Sequence, residues 1–218
     1  MAKNGAILAV ALFFILMVPL VEGDVSVGVK KGDWMEYSVS TTGSPPAAHD
    51  VTWARMEILD VEGVVLHANI TVKNVNGEVS SSVRSFNFTA GQVQAWIIIP
   101  ANLGTGDSFY DASTPGNVTI QGQTQKTVAG ATRTITHASD SSKYKEWDKV
   151  TGMSTETVDN LENYTINAYA TATNMWTPQI LGLDPTVFYA IIIVVVAVIV
   201  AAVLILVVYR RKLKLSNH

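Results

Sequence analysis

Hydrophobic and polar residues alternate along the middle of the chain. In segment 64–73 the even positions are apolar and the odd positions are mainly polar. Segment 164–176 repeats the pattern, which predicts one face containing Ile166, Ala172 and Trp176. Successive side chains of a strand point to opposite faces, so the alternation predicts half-buried antiparallel strands.

Turn sequences separate these apolar runs at short intervals. Asp60–Gly63 and Asn76–Gly77 are typical of hairpins, and Pro115–Asn117 and Thr151–Gly152 mark further turns. We therefore predict an all-β outer domain over residues 24–176: an antiparallel meander of about nine to eleven strands, closed as a sandwich, barrel or half-barrel. The predicted core residues are the five tryptophans: Trp34, Trp53, Trp96, Trp147 and Trp176.

A second apolar pattern, at residues 187–208, is continuous. These 22 residues contain no charge, glycine or proline, and as a helix they reach about 33 Å, enough to cross a bilayer. Residues 177–186 form a linker, and the basic tail 209–218 follows the apolar run. Because basic residues stay on the cytoplasmic side, we predict a single-pass plasma-membrane protein with its N-terminal domain outside and its C-terminus in the cytoplasm.

Residues 1–23 have the pattern of a signal peptide. Lys3 precedes an apolar stretch from Ala6 to Val18, and Pro19 interrupts it. An uncleaved second anchor is the alternative, since the apolar run is only slightly short for a membrane span.

Charge and cysteine content narrow the function classes. The outer part, residues 24–186, has ten basic and seventeen acidic residues, a net charge of −7. Phosphates would be repelled, so we expect no nucleic-acid partner. The chain has no cysteine, which excludes a disulfide framework and favours a prokaryotic over an animal cell surface.

Four N-x-T sequons, at Asn69, Asn87, Asn117 and Asn163, lie in the predicted domain. Asn69 and Asn87 fall on the polar faces of predicted strands, and Asn117 and Asn163 fall at turns. The strand pattern and glycosylation thus require the same residues outside, so we predict a glycoprotein. The sequence leaves open whether the host glycosylates them.

The sequence predicts no catalytic, cofactor or metal site. Gly106–Ser108 resembles the nucleophile block of GDSL-type hydrolases, but it lies in β sequence and no D-x-x-H follows it. The outer histidines His49, His67 and His137 show no metal-ligand spacing. We therefore expect a protein that is not an enzyme.

The run Ile97–Ile99 predicts a partner surface. Three consecutive apolar residues on a strand cannot all face one core, so Ile98 should point away from its neighbours. Pro100 follows the run, which suggests a strand end or edge. Either a second layer or loop covers Ile98, or Ile98 contributes to an exposed patch that a partner covers.

Two segments resemble known families. Residues 29–37, VKKGDWMEY, are similar to the opening strand of a type of archaeal surface protein that ends in a membrane helix followed by Arg and Lys. This resemblance implies location and architecture, and no activity. Residues 144–153, YKEWDKVTGM, resemble more faintly a hairpin of LolA-type half-barrel lipoprotein carriers, which hold acyl chains in an apolar concavity.

These patterns leave three functions open. The favoured one is a non-enzymatic surface domain that binds or scaffolds a partner in the envelope or a membrane complex. The alternatives are a half-barrel that binds a lipid or other apolar ligand, and a surface hydrolase with an unrecognised site. An apolar cavity of several hundred Å³ would favour the carrier, and a filled core would favour the scaffold.

Overall fold

The computed structural model describes residues 25–93, 97–113 and 116–216. The predicted signal segment, residues 1–23, therefore lies outside the described residues. In chain order the strands and the long helix are β1 (Trp34–Gly43), β2 (Val51–Glu62), β3 (Val65–Asn74), β4 (Val79–Asn87), β5 (Ser108–Asp111), β6 (Gly116–Thr119), β7 (Gly122–Val128), β8 (Ala131–Ser139), β9 (Lys143–Asp148), β10 (Ser154–Asn160), β11 (Tyr164–Thr173) and α1 (Pro185–Ser216). A short 3₁₀ turn, Ala47–His49, separates β1 from β2.

Nine of these strands form one sheet in the order β4-β3-β2-β1-β11-β10-β9-β8-β7, and every neighbouring pair is antiparallel. The hairpin β5–β6 stands outside this sheet. The prediction of an antiparallel all-β domain with a single C-terminal apolar helix is confirmed for the part of the chain that the structure describes.

The sheet buries one face, here called the inner face. Met35, Leu66, Phe86 and Trp147 are each 0% exposed. In β3 the even positions lie inward, as the alternation predicts: Leu66 and Ala68 are fully buried, and Ile70 packs against the same cluster.

A bulge between β1 and β11 breaks the predicted alternation. Tyr37 pairs with Ala170, whereas its neighbour Glu36 pairs with Ala172, so Thr171 is an extra residue in β11. A one-residue slip moves later side chains to the other face. The placement of Ala172 on the inner face was therefore wrong, because it lies opposite the outward-facing Glu36.

The segment between β4 and β7 covers the inner face. Seven of its described apolar residues belong to the core cluster: Phe88, Val93, Ile97, Ile98, Ile99, Phe109 and Ile120. The Phe109 ring meets Trp147 edge-on at 6.1 Å between centroids. The described sheet has β4 and β7 as its two edge strands, and a segment of the same chain packs on its inner face.

The tryptophans divide between the two faces. Trp147 is core, as predicted, and Trp176 packs against the edge of the core while partly exposed. Trp34 and Trp53 are on the outer face: Trp34 lies between the buried residues Asp33 and Met35, and Trp53 pairs with Ser38, the neighbour of the buried Tyr37. The Arg55 guanidinium lies 4.4 Å from the Trp34 ring centroid. The assignment of Trp34 and Trp53 to the core was wrong, and Trp96 lies outside the described residues.

The linker to the helix is bonded to the sheet. The Trp176 indole donates to the carbonyl of Val128 at 3.1 Å, and the Gln179 amide donates to the carbonyl of Gly130 at 2.7 Å. Helix α1 begins at Pro185, and the Asp184 carboxylate caps it by accepting the Thr186 amide at 2.8 Å. Its stretch Pro185–Arg210 is long and apolar enough to cross a membrane.

The two faces of β4 provide a test of this packing. Phe86→Ala removes a ring that is 0% exposed, so it should lower the free energy of unfolding by about 3–5 kcal/mol. Val83, on the opposite face, is 63% exposed, and Val83→Ala should cost less than about 1 kcal/mol. Guanidinium unfolding of the detergent-solubilised protein, followed by tryptophan fluorescence, measures both. Equal costs would contradict the assignment of the faces.

Candidate functional site

Alternating strand directions gather the turns at two ends of the sheet. The end of β11 leads into the linker and lies beside the β7–β8 and β9–β10 turns. We call this the helix-proximal end. The β1–β2, β3–β4, β8–β9 and β10–β11 turns lie at the helix-distal end.

A polar cleft of about 340 Å³ lies at the helix-distal end, between the β5–β6 hairpin and strands β8 and β9. It is lined by Asn117, Val118, Thr119, Gln121, Ala138, Ser139, Asp140, Lys143 and Lys145. Most of these residues carry an amide, hydroxyl or charged group, so the cleft suits a polar ligand or a polar segment of a partner.

The alternation of β9 places two lysines in this cleft. Trp147 is on the inner face, so Lys145 and Lys143 are on that face too, further toward the helix-distal end. On the neighbouring strand β10, Thr157 pairs with Lys145, and Asp159 pairs with Lys143. The inner face therefore changes from apolar to charged along one strand.

Lys145 is a perturbed group of this cleft. Burial lowers the pKa of its ammonium below the usual 10.5, and the neighbouring charge of Lys143 acts in the same direction, whereas Asp159 and Asp111 oppose the shift. No ion pair forms on this ammonium among the described residues. Its charge is therefore held at a cost to stability, a property often found at functional sites.

Two buried side-chain oxygens lie on β10. The Oδ1 atom of Asp159 and the Oγ1 atom of Thr155 have no hydrogen-bond partner among the described residues. Buried acceptors without a partner are uncommon in folded proteins. The strip formed by Lys143, Lys145 and Asp159 is thus less completely satisfied than the rest of the sheet.

The outer face of the same strands has a satisfied ionic network. The Lys126 ammonium contacts the Glu146 carboxylate at 2.8 Å and also contacts Glu156. The Tyr144 hydroxyl donates to Glu146 at 2.6 Å. Burial first, and then the Glu146 carboxylate, raises the pKa of Tyr144 to about 12. Burial lowers the pKa of Lys126, but hydrogen bonds to both glutamates outweigh that effect and leave it raised.

A second open cleft, of about 590 Å³, lies at the helix-proximal end, and its walls include Lys30, Asp33, Arg133 and Asn174. The Arg133 guanidinium binds the fully buried Asp148 carboxylate through two nitrogens, at 2.8 and 3.1 Å. It also lies 4.5 Å from the ring centroid of Trp176. These contacts fasten the start of the linker to β8 and β9.

The four sequon asparagines are all at least partly accessible. Asn117 and Asn163 are exposed, whereas Asn69 and Asn87 are half-buried on the outer face. The Asn87 amide oxygen accepts the Ala90 amide at 3.1 Å. Asn117 borders the helix-distal cleft. Their glycosylation stays a prediction.

Ile98 does not form an exposed patch, and its assignment as a partner surface was wrong. It is 0% exposed and forms an isolated bridge with Met153. Ile97 and Ile99 are 5% and 1% exposed, so all three isoleucines are core. The run is not part of a regular strand: the Ser154 amide donates to the Ile97 carbonyl at 2.9 Å, the Ile99 amide donates to the Gly152 carbonyl at 3.0 Å, and all three side chains belong to the core cluster.

The block that resembles the hydrolase nucleophile forms a turn. The Asp107 carboxylate accepts the Gly104 amide at 2.7 Å, and the Ser108 hydroxyl bonds to the Thr119 hydroxyl at 2.8 Å. Within the described ranges, no group of three His, Cys, Asp or Glu residues has the arrangement of a metal site.

Sequence analysis missed Lys143, Lys145 and Asp159. Their signal was the alternation of β9, which places both lysines on the face of a buried tryptophan. Charged side chains on a buried face suggest a functional site. This inference requires knowing that Trp147 faces the core, which the sequence alone does not show.

Comparisons with known proteins identify no family. No family model matches the chain, and no curated protein matches it in sequence. Among solved structures, one similar chain belongs to a study titled "The Siderocalin Ex-FABP functions through dual ligand specificities". It is 10% identical, with a TM-score of 0.25, over 73% of this chain and 80% of that one.

The different environments of Lys126 and Lys145 predict different effects of the same substitution on stability. Lys126→Met leaves Glu146, which is 4% exposed, without its cation, and should cost about 1–3 kcal/mol of unfolding free energy. Lys145→Met removes an ammonium that burial penalises, and should leave stability unchanged or raise it. Thermal unfolding of both variants at neutral pH measures the difference, and destabilisation by Lys145→Met equal to that by Lys126→Met would contradict it.

The same pKa shifts predict how the stability difference between each variant and the unsubstituted protein depends on pH. The raised pKa of Lys126 means that its contribution is complete below the ordinary value of 10.5 and is lost as pH rises through the raised pKa. The lowered pKa of Lys145 means that its penalty is complete below the lowered pKa and fades as pH rises from there to 10.5.

Proposed function

We propose that this chain is a non-enzymatic, membrane-anchored β-domain that binds or scaffolds a polar partner in the envelope or a membrane complex. The observation that supports it best is the filled inner face. Where a carrier would hold its ligand, Ile98, Phe109 and Trp147 are buried against one another in a single core.

The filled core directs binding to the exterior. A carrier of acyl chains needs an apolar chamber of several hundred Å³, but the two clefts described above are open and have charged residues in their walls. The helix-distal cleft is the better candidate for the partner, because Lys145 is charged there at a cost to stability and Asp159 has an unpaired oxygen.

The anchor determines where this cleft is displayed. We propose that α1 crosses the plasma membrane with the domain outside, since Arg210 and the basic residues after it should stay in the cytoplasm. The cleft then opens at the end of the domain that is remote from the membrane.

Cross-linking at the cleft tests partner binding. The chain has no cysteine, so Asn117→Cys places the only thiol at the cleft rim, and Tyr169→Cys places one on the outer face of β11. In native membranes, a thiol-directed cross-linker should give a discrete adduct from Asn117→Cys and none from Tyr169→Cys. Lys145→Glu in the Asn117→Cys background should reduce the adduct at least several-fold.

Two results would contradict the proposal. Equal adducts from both positions, insensitive to Lys145→Glu, would mean random collision. A stoichiometric apolar molecule in an organic extract of the purified protein, measured by mass spectrometry, would instead support the carrier.

Orientation has its own test. Protease added to intact cells should remove the domain, whereas a tag placed after His218 should survive. If the tag is digested in sealed cells and the domain is protected, the orientation is reversed and the proposed display outside the cell fails.

A further inference from the structure

A tight turn immediately before the helix contains an unusual residue. Ile180 and Leu183 exchange backbone hydrogen bonds at 2.9 and 3.1 Å, and both residues between them have positive φ, 53° for Leu181 and 79° for Gly182. Such a turn strongly favours Asn, Asp or Gly at its first central position. Leucine is disfavoured there because its Cβ crowds the backbone in the left-handed region.

Packing within the domain does not explain this leucine. The Leu181 side chain is 88% exposed, more than the 68% of Ile193 on the bare surface of α1. Leu181 therefore neither suits its backbone conformation nor fills the core. A strained, fully exposed apolar side chain is expected where another surface covers it.

The position of the turn identifies that surface. Leu181 precedes Pro185, the first residue of α1, by four residues, and four residues span at most about 14 Å. The headgroup layer of a bilayer is about 5–8 Å thick on each side. With α1 across the membrane, the turn therefore lies within reach of this layer.

The linker also restricts how far the turn can move. Gln179, two residues before Leu181, is bonded through its amide and side chain to Gly130 and Thr132 of the β7–β8 hairpin. Val150, in the β9–β10 turn at the same end of the sheet, is 54% exposed. The helix-proximal end thus presents two apolar side chains on braced turns.

We propose that the Ile180–Leu183 turn is a bilayer-contacting element, in which Leu181 inserts at the boundary between headgroups and acyl chains. The contact is apolar, since the outer part of the chain has a net charge of −7 and Asp184 adjoins the turn. The inserted turn and α1 together hold the domain in a fixed orientation on the membrane. The proposal assumes that α1 crosses the bilayer.

Fluorescence quenching in the full-length protein tests it. Leu181→Cys, Ile193→Cys and Val79→Cys each introduce the only thiol. Val79 is 60% exposed at the helix-distal end and serves as the aqueous control, and Ile193 serves as the membrane control. Each variant is labelled with bimane and reconstituted in phosphatidylcholine nanodiscs containing acyl chains brominated near the headgroup. Unchanged unfolding midpoints verify that the variants fold.

The expected result is at least twofold stronger quenching by the brominated lipid for Leu181→Cys than for Val79→Cys, with the reverse order for aqueous iodide. If the Leu181 label behaves like the Val79 label while the Ile193 label is quenched by lipid, the turn lies in water and the proposal is overturned. If the Ile193 label also escapes lipid quenching, α1 is not in the bilayer, and the membrane assignment itself fails.

Discussion

The fold depends on one constraint: the apolar face of the nine-stranded sheet has to be shielded from water. A segment of the same chain packs on that face. The hydrophobic effect makes an exposed face of that size unfavourable, and the segment between β4 and β7 removes it from water. The Phe109–Trp147 contact and the bridge between Ile98 and Met153 hold that segment in place. The rest of the architecture follows from this covering.

The charged cleft lies where the β5–β6 hairpin of this covering segment meets strands β8 and β9. On β9 the apolar Trp147 is followed, toward the helix-distal end, by Lys145 and Lys143 on the same face. A lysine is tolerated at the margin of a core because its aliphatic stem packs against apolar groups while its ammonium reaches a polar environment. The unpaired oxygen of Asp159 adds an acceptor to the same margin.

Period-two patterning was enough to predict the fold class, because each strand must alternate to cover one face. It located the inner face of β3 correctly, from Leu66 to Ile70. It failed for Ala172, because a bulge is a property of two paired strands and has no single-strand signature here. It failed for Ile98 for another reason: a segment surrounded by apolar groups on all sides need not alternate. The cleft was missed because Lys143 and Asp159 become neighbours only through the pairing of β9 with β10, which the sequence does not specify.

The two ends of the sheet impose different limits on function. Strand β11 has ten residues, so it separates its ends by about 33 Å. With α1 in the bilayer and the strands directed away from it, as proposed above, the helix-distal cleft is displayed away from the headgroups. A carrier would need an apolar entrance at the helix-proximal end, but the cleft there contains Arg133 bound to the buried carboxylate of Asp148. The apolar side chains at that end, Leu181 and Val150, stand on turns and point to contact with a surface rather than to a chamber. This arrangement is consistent with the proposal that the helix-proximal end anchors the domain and the helix-distal end binds a polar partner.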